Sequence, residues 1–351
     1  MDRREFIKVV GVAGSSGAIA GCTGGDGEAT DTPTEAPDGG GMETATATPE
    51  PSVEMPNPFR IGKPAPIAQS GTMAVYPGFR NIARDRHGID IEFGSFRGYT
   101  PMVGGFLKGE IHTGYLAVLG WVRAVNQNIP IKGISGFTTY FPSPMMVPPG
   151  TSWSDLEGQT IAVHAPGSAG ELIAKVMVRN ELGSVDAVDY EFIIGTPNRL
   201  AAMREGQIQG TIGLISSGYA ARSAGEVEFL ALPWDYDEFD NTVAQLWVLT
   251  ENEIEESSGV VQNFVTGMQD SYEWMYETDA GEIVDQGLEF DDYAPVGAEN
   301  WESAVQACKD NNVWDSDLSQ ERLSNTLDLL MDMELIGSRP DPTEIVTTEF
   351  L

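Results

Sequence analysis

The four residues Gly167-Ser168-Ala169-Gly170 say most about possible chemistry. They join a strand-like apolar run, Thr160 to His164, to a helical one, Ser168 to Leu182. Such a turn aims free backbone N–H groups and the positive end of a helix at whatever lies beyond the strand, which favours an anionic group. The same residues also spell a capping box, Ser168 with Glu171, that would serve only the helix. Arg97 is a second candidate for an oxyanion, since a guanidinium can grip a carboxylate or sulfonate with two hydrogen bonds. A solvated surface arginine is the plainer reading. Tyr99, Tyr115, Tyr140 and Phe141 could wall a ring-shaped ligand or be ordinary packing. The histidines, His87, His112 and His164, show no metal-ligand spacing. Only His112 would fall near a cleft, and a structural role is expected for it. Neither a G-x-S-x-G elbow nor a P-loop occurs. The sequence therefore assigns no catalytic residue, no metal and no cofactor.

Ligands of open α/β sheets sit outside the carboxyl ends of strands, so the elements decide which residues can converge. Strand-like runs at Arg60–Gly62, Ile89–Phe93, Ile111–Tyr115 and Ile131–Ser135 alternate with helical ones at Met73–Arg86, Thr100 to about Lys108, and through Trp121 and Val125. The alternation predicts an α/β fold with a largely parallel sheet. It restarts at Thr160–His164, with a helix to Leu182, a strand at Tyr190–Ile194, a helix from Thr196-Pro197 to Glu205, and a strand at Ile208–Ile215. Thr100-Pro101, a helix, then Gly109-Glu110-Ile111 is echoed by Thr196-Pro197, a helix, then Gly206-Gln207-Ile208, which suggests two similar lobes facing each other. The ligand-binding candidates at strand ends are Gln69, Ser70, Gly71 and Thr72, then Arg97 and Tyr99, then Tyr115 and Ala117. In the second half they are Gly167, Ser168, Ala169 and Ser216.

The last third is helical. Val261, Phe264, Val265, Met268, Tyr272 and Met275 form one apolar face, and Trp301–Cys308 and Leu323–Leu330 give two more. Cys308 falls on such a face and is expected to be a buried, inert thiol. Of the net charge of −33, residues 251–351 carry −22 and residues 58–250 only −4. This balance argues against a nucleic-acid partner, which needs a basic stripe, and against charge-driven docking on anionic lipid. It fits an acidic, solvated surface suited to high salt.

The amino terminus reads as an address. Arg3-Arg4 followed by Phe6, Ile7 and Lys8 resembles a twin-arginine export signal, and Ile19-Ala20-Gly21-Cys22 resembles a lipobox. The apolar stretch between them is too short to span a bilayer. Cys22 is the expected lipidation site, placing the protein outside the cytoplasmic membrane. Residues 23–57, rich in Thr, Gly, Pro and acids, are expected to be a disordered tether.

From Phe59 to about Tyr276 the order of motifs resembles the substrate-binding proteins of ABC importers, of the nitrate/sulfonate/taurine and thiamine-precursor type. The matching pieces include Leu107-Lys108-Gly109-Glu110-Ile111, Asn128-Ile129-Pro130-Ile131, Ser154-Asp155-Leu156-Glu157-Gly158, Gly167-Ser168-Ala169-Gly170 and Leu200-Ala201-Ala202-Met203. His112 and Gln209 stand where that family usually has Asp. The resemblance implies the type 2 periplasmic-binding-protein fold: two Rossmann-like lobes joined by a two-strand hinge, with extra C-terminal helices. The crossings are placed near Tyr140–Pro149, read as lacking regular structure, and near Pro233–Val243. The domains are then 1–22 (signal), 23–57 (tether), 58–142 with 238–351 (lobe I and the C-terminal helices), and 143–237 (lobe II). The resemblance also implies that a small solute, such as a sulfonate, nitrate or taurine-like anion, is captured between the lobes and delivered to ABC permease and ATPase subunits. A thiamine-type heteroaromatic ligand, or a sensor lipoprotein, is the alternative. An enzyme on the same fold is a third reading, without a catalytic constellation to carry it.

Overall fold

Two five-stranded sheets form the scaffold. The computed structural model describes residues 55–64, 75–96, 98–289 and 296–351, all inside one unit, Ser52–Leu351. The export signal, Cys22, nearly all of the tether, Gln69, Ser70, Gly71, Thr72 and Arg97 lie outside the described residues. The first sheet contains β1 (Phe59–Lys63), β2 (Ile91–Ser95), β3 (Thr113–Ala117), β4 (Ile131–Thr138) and β10 (Gln245–Thr250) in the order β2-β1-β3-β10-β4. The second contains β5 (Met145–Val147), β6 (Thr160–Val163), β7 (Asp189–Phe192), β8 (Gly210–Ile212) and β9 (Glu228–Ala231) in the order β7-β6-β8-β5-β9.

The two sheets share one plan. In each, three parallel strands are followed by an antiparallel one, β10 in the first and β5 in the second. The antiparallel strand enters each sheet after the chain has crossed over from the other. The repeated Thr-Pro marks equivalent helices, Tyr99–Leu107 and Thr196–Arg204, each following the second parallel strand of its sheet. Both helices start from a glycine N-cap with positive φ, Gly98 at 106° and Gly195 at 87°. That conformation is cheap only for glycine, which gives the echo a physical cause.

Several expected boundaries move. β2 and β3 each start two residues later than the apolar pattern, because Ile89 and Ile111 are buried ahead of the ladder. Apolar spacing reports burial rather than pairing. The run Ile208–Ile215 splits into β8 and the helix Ile215–Ser223. The first crossing is not wholly irregular. Met145–Val147 pairs antiparallel with β8 and β9, while Pro142, Pro144, Pro148 and Pro149 flank the strand and remove no ladder donor from it.

The C-terminal helices close the back of the first sheet. In the helix Ser258–Glu277, all six residues of the expected stripe are buried. They meet an aromatic cluster in which Trp247 packs against Phe79, Tyr115, Phe137 and Phe264 at 5.2–5.6 Å between ring centroids. Trp247 Nε1 donates to the Tyr272 hydroxyl at 2.8 Å, so the indole is buried without an orphaned donor. Cys308 is fully buried in the same core, and burial pushes its thiol far above the usual range.

Candidate functional site

In each sheet the carboxyl ends of the parallel strands mark where a ligand of this architecture would sit. On the first sheet, β1 ends at Lys63, 1% exposed, with its Nζ 5.5 Å from the centre of the Tyr76 ring. The Tyr76 hydroxyl lies 3.5 Å from that of Tyr115. Tyr115 itself belongs to the aromatic core beside Trp247 and Phe137, so packing accounts for its ring. Tyr99 opens its helix and lies over Gly120. Burial pushes its hydroxyl up to about 12, while hydrogen bonds to the Ala117 backbone and the Gln245 side chain pull the other way. Tyr99, Ala117 and Gln245 thus form one polar spot at the end of β3.

On the second sheet, Ser168 caps the helix Ala169–Leu182, its Oγ accepting from Glu171 N at 3.3 Å. The Glu171 carboxylate accepts the Gly167 N–H and pairs with Lys175 at 3.1 Å. The Gly167 N–H is therefore taken by the chain's own carboxylate, while Ser168 serves as the helix N-cap. Gly167 has φ +67°, and the Arg123 guanidinium, from the helix Val118–Asn126, occupies the space a side chain would need. Arg123 follows β3 and Gly167 follows β6, so this contact bridges the two lobes' edges.

Both crossings and both lobes meet in one apolar pocket, about 490 Å³ counting its part open to solvent. Ala117 and Val118 line it from one lobe, Ala169 and Leu172 from the other, and Tyr140 and Phe141 from the first crossing. Tyr140 donates to Asp240 at 2.9 Å, tying one crossing to the other, and Trp234 meets its ring edge-on at 6.2 Å. Burial and the Asp240 charge push the Tyr140 hydroxyl up to about 12.

The far end of the lobe II edge holds Ser216, buried in the first turn of its helix. Next to it Thr196 Oγ1 accepts from Leu214 N at 3.2 Å. Arg199 reaches beneath this edge and is 4% exposed. Sequence reasoning missed it. Its only signal is an arginine one turn into a helix that opens at a strand end, which is a common pattern. Lys63 and Arg123 were missed in the same way.

His112 is displaced from the expected place. It precedes β3, at the opposite end from the carboxyl edge, and its Nδ1 accepts from Arg60 N at 2.8 Å while its ring stacks on Phe59. It extends the β1–β3 pairing and takes no part in the cleft. The predicted residues Tyr99, Ala117, Gly167, Ser168 and Ala169 gather around the junction of the lobes. Ser216 lies further along the lobe II edge and Tyr115 in the core.

Residues 85–280, more than half of the sequence, match the family described as NMT1/THI5 like. The chain belongs to this family. Among solved structures, this NMT1/THI5-like chain is similar to the alkanesulfonate-binding protein SsuA from Xanthomonas axonopodis pv. citri bound to MOPS, with 15% identity and a TM-score of 0.63, covering 84% of this chain and 100% of that one. It is similar to the periplasmic aliphatic sulphonate binding protein SsuA from Escherichia coli, with 13% identity and a TM-score of 0.66, covering 84% and 92%. The desulfurization enzyme DSZB shares the fold at 13% identity and a TM-score of 0.58, covering 84% and 97%. No curated protein matches the sequence. At these identities the structural likenesses establish a two-sheet α/β fold of the periplasmic-binding-protein type.

Proposed function

We propose that this protein is an extracytoplasmic solute-binding protein that captures a small organic anion between two lobes and delivers it to an ABC importer. One observation carries the reading. The Arg123–Gly167 contact joins the carboxyl-end turns of two equivalent sheets, and both crossings line an apolar pocket with residues of both lobes. An edge-to-edge site that closes by hinge motion is suited to capture and release, because the closed form is the one a transporter can recognise. The sulfonate-binding names among the structural neighbours support an anion of the sulfonate, nitrate or taurine kind. The lobes divide as 58–142 with 238–351 against 143–237, and export with lipidation at Cys22 would hold the protein to the outer face of the membrane through the 23–57 tether. Permease and ATPase subunits are the proposed partners, and capture rather than turnover is the proposed activity.

The aromatic lining by Tyr140 and Phe141 favours a second reading, a heteroaromatic ligand of the thiamine-precursor kind. Both are tested by titrating the full chain with sulfonates, carboxylates, nitrate and pyrimidines while following tryptophan fluorescence. Trp234 sits on the second crossing against Tyr140 and should report closure. A saturable change that is lost in Trp234→Phe supports capture at the hinge, and silence across the panel contradicts it.

A further inference from the structure

Arg199 is a buried cation for which the described residues supply no counter-charge. Its Nε donates to the Ile212 carbonyl at 3.1 Å, Nη1 to the Ile193 carbonyl at 2.7 Å, and Nη2 to Thr196 Oγ1 at 3.1 Å. All three acceptors are neutral. A guanidinium has five N–H donors, so two remain beyond these bonds. No described carboxylate lies within ion-pair distance of Arg199. Burial alone lowers its pKa, to about 10, with no acid holding it up.

The placement gives this charge a direction. Ile193 follows β7 and Ile212 ends β8, and β6 lies between those strands. The guanidinium therefore spans the carboxyl ends of the three parallel strands of the second sheet. His164, at the end of β6, is close enough that the Arg199 charge joins burial in lowering its imidazole pKa below the ordinary range. Thr196 links Arg199 to the Leu214 turn and so to the helix that carries Ser216. Buried charges in proteins are normally paired, since taking an unpaired one out of water is costly. A fold that keeps one at a ligand edge, ringed by neutral dipoles, leaves the compensation to something that binds there.

We infer that Arg199 is the charge-selecting residue of the site: it supplies the counter-charge for an anionic head group seated on the lobe II edge over His164, Thr196 and the Leu214 turn. The inference rests on the solute-binding reading and sharpens it. The ligand is an organic anion whose charged group is held by lobe II, and its uncharged isosteres are rejected. At Gly167–Gly170 the Glu171 carboxylate already accepts the Gly167 N–H, which makes that turn a less positive seat than the edge over Arg199. Arg199 acts as a fixed positive potential, reinforced by whichever of its two remaining donors the head group reaches.

The test is calorimetric titration of the full chain with a short alkanesulfonate and with the uncharged sulfonamide of the same carbon skeleton. Wild type, Arg199→Lys and Arg199→Gln are compared at fixed ionic strength, with unfolding temperatures recorded alongside. Wild type is expected to prefer the sulfonate by about 100-fold, the scale set by losing one partner of a buried charge pair. Arg199→Lys should keep most of that preference. Arg199→Gln should abolish it while leaving sulfonamide affinity within a few-fold of wild type. A preference that survives in a folded Arg199→Gln variant overturns the inference, as does equal loss of both ligands in that variant, which would mark a merely structural arginine. A wild type that binds the sulfonamide as well as the sulfonate overturns it too, yet leaves solute capture standing. Binding of neither probe or of any other panel solute overturns both readings.

Discussion

At the residue scale, the Arg123–Gly167 contact is the sharpest point of the structure, because it depends on one missing Cβ. Gly167→Ala forces a left-handed backbone on alanine and displaces the Arg123 guanidinium, so it should cost about 1–2 kcal/mol of stability. Urea unfolding checks this, and an unchanged midpoint would show that the lobes do not lean on each other there. His112 makes a separate, pH-linked prediction. Burial and the nearby Arg60 charge keep its imidazole below the ordinary range, with the Arg60 backbone bond pulling the other way. The folded state therefore resists a proton that the unfolded chain accepts. This contribution is complete above the ordinary imidazole pKa of about 6.5 and fades as the pH falls below it. Urea midpoints at about pH 7.5 and about pH 5.5 should fall in wild type and fall less in His112→Gln.

At the element scale, the C-terminal helix Gln320–Asp332 braces the hinge. Thr326 Oγ1 accepts from Val243 N at 2.8 Å on one crossing, and Arg322 Nη2 donates to Thr139 Oγ1 at 2.9 Å at the start of the other. Arg322 also pairs with Asp315 at 2.7 Å, and Asp332 at the far end of the helix pairs with Arg179 of the second lobe. Removing the guanidinium takes the donor from Thr139 Oγ1 and the cation from Asp315 Oδ2, so Arg322→Met should destabilise by about 2 kcal/mol. Denaturation of this variant and of an Arg322→Met, Asp315→Asn pair checks it. If the second substitution restores nothing, the Asp315 partner carries none of the cost. Much of the element order could be read from the sequence, because apolar periodicity and Thr-Pro helix starts are local signals. The helix Ser258–Glu277 is the clearest case, its whole predicted stripe being buried. The short strand Met145–Val147 could not be read that way. Three residues between prolines give no period, and the strand exists only because β8 and β9 flank it. The site was legible at its turns and not at its charges. Gly167, Ser168 and Ala169 stand at a strand end that the pattern locates, whereas Arg123 and Arg199 matter through distant partners that sequence spacing does not encode.

At the scale of the whole molecule, charge and fold separate. Residues 251–351 carry −22 while residues 58–250 carry −4, so self-repulsion belongs mostly to the helices behind the first sheet. Raising the salt from about 0.1 M to about 1 M shortens the screening length from about 10 Å to about 3 Å. The unfolding temperature should therefore rise over that range, and a flat response would contradict the proposal of adaptation to high salt. Residues 58–250, nearly balanced in charge, leave room for the local positive potential of Arg199. The proposed function requires two lobes to close on one solute. Small-angle X-ray scattering of the full chain, titrated with the solute that gives the strongest fluorescence response, tests it most directly. The radius of gyration should fall and level off at one equivalent; a radius unchanged through saturation would rule closure out.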